Sequence, residues 1–95
     1  MAVKILIKRK IPANIVDELM PLFQRLRVMA MNQPGYIAGE TLKRVDRKDE
    51  YLVISTWQAI DNWREWVINK DRVEIQQKID RLIERDTEYD IYEFA

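Results

Sequence analysis

Tyr51-Leu52-Val53-Ile54-Ser55-Thr56-Trp57 is the stretch on which the fold turns. Alternate side chains of an extended strand point to opposite faces, so Tyr51, Val53 and Trp57 share one face while Leu52 and Ile54 share the other. Both faces are apolar. A strand buried on both sides needs one covering layer above its sheet and another below it. The rest of the chain has to be read for what supplies those two layers.

On the N-terminal side, Tyr36 to Val45 reads as a strand entered through the turn signal Asn32-Gln33-Pro34-Gly35, and Asp46-Arg47-Lys48-Asp49-Glu50 is a polar connector of hairpin length. Gly39, inside that strand, marks either a bulge at a bend or a place where a ligand approaches the backbone, the bulge being the simpler reading. Farther back, Val3, Ile5, Ile7 and Ile11 alternate with Lys4, Lys8 and Lys10, the pattern of a half-buried strand whose polar side is broken by Leu6. Lys8-Arg9-Lys10, the densest basic run, reads as the solvated end of that strand. Pro12 stops it and suits the first turn of a helix, where a missing N–H costs nothing. Ile15, Leu19, Leu22, Leu26 and Met29 then recur at steps of 4, 3, 4 and 3 and, widened by Val16 and Phe23, make one apolar stripe of a helix from Ala13 to about Ala30. Asp17 and Glu18 near its start and Arg25 and Arg27 toward its end complement the helix dipole. Pro21 predicts a kink, or a helix whose regular part begins late.

On the C-terminal side, Ile60 to Ile68 is a short helix bearing Trp63, Trp66 and Val67, interrupted at Asn69-Lys70-Asp71, where Asn69 suits a cap. Arg72 to Arg85 continues as a second helical piece, with Ile75, Ile79, Leu82 and Ile83 at helical spacing. Thr87 to Phe94 closes the chain as a strand with Tyr89 and Ile91 on one side and Tyr92 and Phe94 on the other. The order strand, helix, strand, strand, broken helix, strand is the ferredoxin-like βαββαβ pattern, an α+β fold with a four-stranded antiparallel sheet and its helices on one face. The helices supply one layer. Nothing else in a single 95-residue domain, residues 1–95, covers the opposite face, so a second copy packing sheet against sheet, a homodimer, is expected.

Sixteen basic and sixteen acidic residues cancel, and no block of five like charges occurs, which excludes the electrostatic footprint of a nucleic-acid or anionic-membrane partner. With no His and no Cys, the chain lacks the side chains that most often hold metals or do redox chemistry at neutral pH, so no metal site is expected. Ile5-Leu6-Ile7 is too short for the apolar core of a signal peptide, and no run approaches the ~18 apolar residues of a membrane helix. A cytoplasmic protein is the expectation.

Pro34-Gly35-Tyr36, the strand Tyr51 to Trp57, the pair Trp63 and Trp66, and Arg72 near the following helix start together resemble the antibiotic biosynthesis monooxygenase (ABM) domain family, over nearly the whole chain. The resemblance implies a dimeric α+β barrel in which two sheets face each other. It also implies a mixed chemistry, since members include cofactor-free oxygenases of quinols or polycyclic phenols and enzymes that degrade haem. In the haem-degrading members an Asn on the first strand, a Trp in the second helical region and a His ten residues later work together, and these positions match Ile7, Trp66 and Gln76. An amide is no haem-iron ligand of the imidazole kind, and an isoleucine has no polar group to orient oxygen, so haem degradation by that route is not expected and no cofactor is implied.

What the resemblance leaves is a cofactor-independent monooxygenase acting on a small aromatic molecule held between sheet and helices. Trp57, Trp66, Phe23 and Tyr36, with Trp63, are the candidate aromatic walls; Ile7 and Gln76 are candidate contacts; Arg72 or Tyr89 is the candidate group to stabilise a phenolate. Each also has a plain structural role open to it. Trp63 and Trp66, i and i+3 on one helix, read equally as a core stripe, Arg72 as a partner for a carbonyl, Asp61 or Asp71, and Tyr89 and Tyr92 as interface aromatics. The candidate bases, Glu40, Asp61, Glu65 and Glu74, all read as solvent-facing charges. The alternative is a non-catalytic small-molecule-binding or stress-response module of the same dimeric fold. An open cavity beside Trp66 with a polar group facing it favours chemistry; one packed shut by Ile7, Phe23 and Trp66 favours the module.

Overall fold

Strand β1 (Val3–Lys10) lies at the centre of the sheet because it is paired along its whole length with β3 (Glu50–Trp57), Val3 opposite Trp57 and Lys10 opposite Glu50. The computed structural model describes residues 1–95. The other strands are β2 (Tyr36–Lys43) and β4 (Asp90–Glu93), giving four antiparallel strands in the order β2-β3-β1-β4. Between β1 and β2 a 3₁₀ turn, Ala13–Ile15, leads into helix α1 (Val16–Met31); between β3 and β4 stand α2 (Ile60–Val67) and α3 (Lys70–Ile83). This is the ferredoxin-like α+β arrangement that the order of sequence signals predicts.

The helix-facing side of the sheet carries Val3, Ile5, Ile7 and Arg9 from β1 and Tyr51, Val53, Ser55 and Trp57 from β3. One core cluster gathers Val3, Ile5, Trp57, Trp63 and Trp66, and a second gathers Ile11, Leu19, Ile75 and Ile79, with Leu22, Phe23, Leu26 and Met29 of the α1 stripe packed against them. Trp57, Ile5, Leu19 and Ile79 are fully enclosed. The other side of the sheet carries Leu6, Leu42, Leu52 and Ile54, and none of these is buried. The two-faced apolar character of β3 is therefore real, and this chain covers only one of the two faces.

Several local expectations are corrected. Of the two readings of Pro21 the late start holds, against a start at Ala13: the regular part of α1 begins at Val16 after the 3₁₀ turn, and Pro21 falls in its second turn. The helix runs on to Met31, which leaves Arg25 and Arg27 inside it and no basic residue in its last turn. β2 ends at Lys43, two residues before Val45. The expected bulge at Gly39 lies instead between Tyr36 and Ala38, and Gly39 serves a different purpose: a Cβ there would collide with the Tyr36 hydroxyl. The last strand is only Asp90–Glu93, because Thr87 and Tyr89 turn their side chains toward α3 instead of joining the ladder. Asn69 does cap α3, its side-chain oxygen accepting from the amides of Asp71 and Arg72 at 3.0 and 3.2 Å.

Candidate functional site

Between the sheet and the helices lies a cavity of about 350 Å³, lined by all seven sequence-predicted candidates, Trp66, Trp57, Phe23, Tyr36, Arg72, Gln76 and Ile7. The geometry follows from the elements. Gly35, at φ +84° in the turn before β2, sits where an added Cβ would overlap the Asn62 side chain of α2; that close seating places Tyr36 edge-on to Trp57, centroids 5.4 Å apart. Trp57 in turn stacks on Trp66 of α2 at 6.5 Å with 28° between planes, and its indole N–H donates to Ser55 Oγ at 3.1 Å. Three aromatic rings thus make a continuous wall at one end. Phe23, from the α1 stripe, lines the same cavity, as do Tyr51 and Val53 of β3.

The polar end of the site is built by α3 and the segment after it. Arg72 and Gln76 are one helical turn apart on α3 and both are buried. Arg72 donates to the Val67 carbonyl at 3.0 Å, to Gln76 Oε1 at 3.4 Å and to the Tyr89 hydroxyl, and its guanidinium lies 5.3 Å from the Tyr89 ring centre and 6.0 Å from that of Trp66. The carbonyl partner was among the readings of Arg72; Asp61 and Asp71 are not its partners. Gln76 Nε2 donates to Thr87 Oγ1 at 2.7 Å and Asp80 Oδ1 at 2.8 Å, and the Thr87 hydroxyl donates to the same Asp80 oxygen at 2.6 Å. Tyr89 is thus a wall of this cavity, edge-on to Trp63 at 5.6 Å. Tyr92 is more than half exposed on β4.

Arg9 is the site residue that sequence reading missed. It is only 8% exposed, lines the cavity, and is not part of a solvated strand end. Its guanidinium lies 4.9 Å from the Phe23 ring centre, and Nη1 donates to Thr87 Oγ1 at 3.4 Å. Burial pushes its pKa down from the ordinary arginine value; the nearby Tyr89 and Asp80 oppose this and Arg72 adds to it. The signal was present in the pattern, since residue 9 shares the parity of Val3, Ile5 and Ile7 and so had to face the helices.

The candidate bases do not converge on this space. Glu40 reaches only its rim and is exposed, Asp61 pairs with Arg64 at 3.3 Å on the outside of α2, Glu65 is exposed, and Glu74 lies 3.9 Å from Lys78 on the outer face of α3. What the arrangement can do chemically is hold a flat apolar molecule against indole rings with an anionic edge toward two guanidinium groups.

No protein-family model matches the sequence, and no curated protein matches it. Solved structures do. A conserved protein from Methanosarcina mazei Go1 superposes with a TM-score of 0.91 at 17% identity, covering 100% of this chain and 94% of that one. A variant of SnoaB, a cofactor-independent oxygenase from Streptomyces nogalater, gives 0.86 at 17% identity over 99% of this chain and 93% of its own. A protein solved as an antibiotic biosynthesis monooxygenase gives 0.85 at 13% identity, covering 98% of each chain. The fold is that of the ABM-type proteins.

Proposed function

We propose that this chain, with the fold of the ABM-type oxygenases, is a cofactor-independent monooxygenase that binds a small electron-rich aromatic molecule, a quinol or phenol-like compound, between sheet and helices. The observation that carries the reading is the cavity of about 350 Å³ walled by Trp57 and Trp66, with the Arg72 guanidinium 6.0 Å from the Trp66 ring centre. That volume lies at the low end of the ~300–1,000 Å³ typical of small-molecule sites. The cavity is not packed shut by Ile7, Phe23 and Trp66, which favours chemistry over the module with a filled pocket. Likeness to SnoaB, itself a cofactor-independent oxygenase, supports the same choice.

The chemistry asks little of the protein. Guanidinium groups beside a phenol or an anthrone enol favour its anion and lower its pKa, so deprotonation to solvent water suffices where no carboxylate faces the ring. The carbanion-like carbon of the bound anion passes one electron to O₂; the radical pair joins to form a C–O bond, and the distal peroxide oxygen takes up a proton. Loss of water from the hydroperoxide then leaves a carbonyl. One oxygen atom stays in the product and the other leaves as water with the two hydrogens of the original methylene. Trp66 holds the ring, the fully enclosed Trp57 stacks behind Trp66 and is braced by Tyr36, and Arg72, aligned by Gln76 and the Val67 carbonyl, stabilises the negative charge. Haem does not fit the same space, since the Gln76 amide nitrogen is engaged by Asp80 and Thr87 and offers no lone pair to iron.

The reading includes a second copy on the uncovered sheet face, where Leu6, Leu42, Leu52 and Ile54 adjoin the exposed Tyr92 and Phe94. No helix of the chain is long and apolar enough to cross a membrane.

Oxygen consumption with a panel of hydroquinones and anthrones, run beside a Trp66→Ala control, tests the proposal. Uptake roughly tenfold or more above the control is expected, a loss of about 1.4 kcal/mol on removing the stacking ring, with one atom of ¹⁸O₂ in the product. Turnover no greater than the control's, with binding retained, assigns the cavity to the non-catalytic module instead.

A further inference from the structure

Arg9 holds a cation where nothing in the protein completes its coordination. It is only 8% exposed, and its Nε is shut off from solvent without any acceptor. Nη1 is tied to Thr87 Oγ1, and the ring of Phe23 lies against the guanidinium at 4.9 Å. The side edge formed by Nε and Nη2 makes no hydrogen bond within the chain. The carboxylate of this network, Asp80, does not fill the gap: it makes no hydrogen bond or ion pair with Arg9, and its Oδ1 accepts from Gln76 and Thr87. The cavity lining carries the buried Arg9 and Arg72 and the exposed Arg27 against a single carboxylate, the exposed Glu40, while Asp80 lies outside the lining, so positive charge is in surplus there. Buried charges are ordinarily paired, and a buried donor left without an acceptor costs free energy that a bound acceptor would recover.

We infer that the cavity takes an aromatic carboxylic acid, with the carboxylate on the Nε–Nη2 edge of Arg9 and the ring against Trp66. A planar carboxylate meets two parallel N–H donors along one edge of a guanidinium, whereas a neutral amide or a phenol oxygen satisfies only one of them and brings no charge. Thr87 holds the other side of the group still, and because Nε is shut off from solvent, a carboxylate reaches both donors only with a small shift of the side chains around that edge. Lowered basicity of Arg9 by burial agrees with this, since an anion on that edge would restore the charged form. Arg72 and Tyr89, at the Trp66 end, remain available to the phenolic oxygen of the same molecule. The inference rests on the proposed function only in taking this cavity as the ligand's place, and it narrows the substrate to a phenol or quinol bearing an acid group.

Binding of 2-naphthoate and of 2-naphthamide, followed by calorimetry or by tryptophan quenching, separates this from the oxygenase reading because no turnover is needed. The native protein is expected to prefer the carboxylate by at least about tenfold, Arg9→Gln to lose that preference while binding the amide as before, and Arg9→Lys to recover part of it. Equal binding of the two ligands by the native protein, no binding of either, or an undiminished preference in a folded Arg9→Gln overturns the inference. If Arg9→Gln does not fold, the Arg9 Nε–H resonance of the native protein decides: naphthoate must shift it and naphthamide must not. Failure of oxygen uptake with the preference intact sinks the oxygenase reading alone.

Discussion

Gly39 shows how one residue shapes the cavity from a distance. On the helix-facing side of β2, opposite Ser55, its missing side chain is the space into which the Tyr36 hydroxyl projects, and Tyr36 in turn meets the fully enclosed Trp57 edge-on. Its backbone needs no unusual angle; what matters is room. Gly39→Ala is therefore expected to push the Tyr36 ring off Trp57 and to destabilise the protein by roughly 1–3 kcal/mol, the usual cost of overpacking, as read by urea unfolding. Tyr36→Phe, which deletes the oxygen that collides, should restore most of that loss in the double variant. Additive losses in the two variants would mean that Gly39 serves some other purpose.

At the scale of elements, the hairpin joining β2 to β3 is held by charge and not by packing. Arg44 reaches Asp46 at 2.6 Å and Glu50 at 2.7 Å, with Arg47 adding a contact to Glu50 at 3.4 Å. The hydrogen bonds from Arg44 hold both carboxyls below their ordinary values and push its own pKa up. A carboxyl whose pKa is depressed by folding contributes stability that is fully present above its unfolded value and is lost as pH falls through the folded one. Those unfolded values are 3.8 for Asp46 and 4.5 for Glu50, so the hairpin should be unaffected by titration from neutrality to about pH 5 and loosen below. Carboxyl NMR titrations should place both midpoints lower than in an Arg44→Gln variant; coincident curves would remove the clamp. These groups are solvent-exposed, and high salt should weaken the effect.

For the whole molecule the decisive feature is the sheet face that the helices leave open. A chain this small gains much from further burial, and that face carries Leu6, Leu42, Leu52 and Ile54 at its middle among the charged Lys4, Lys8, Glu40 and Asp90. Sedimentation equilibrium is expected to give about twice the 11.5 kDa of one chain. Leu52→Lys, which places a charge on the outer face opposite Leu42 and Lys8 and leaves every cavity-lining residue in place, should shift the mass toward that of one chain. A native protein that sediments as a single chain at micromolar concentration would refute the second copy.

The sequence by itself determined the order of elements, the helix-facing stripe of α1, the cap at Asn69 and the two-faced β3, because each depends on local spacing: period two in a strand, period 3.6 in a helix, one side-chain oxygen at a helix start. It also determined which aromatic rings share a side of the sheet, and so which line the cavity. Only the tertiary structure decided what the charged residues do. Arg9 reads as solvated from its neighbours Lys8 and Lys10, yet is buried where the Phe23 ring and Thr87 meet the end of β1; Tyr89 reads as a strand residue, yet leaves the ladder to meet Arg72, 17 positions away. Local pattern reports which face a side chain points to. Whether that face ends in water, in a wall or beside another charge depends on segments far away in the chain, and a hydrogen-bonded network among Arg9, Arg72, Gln76, Asp80, Thr87 and Tyr89 exists only once the fold has brought them together.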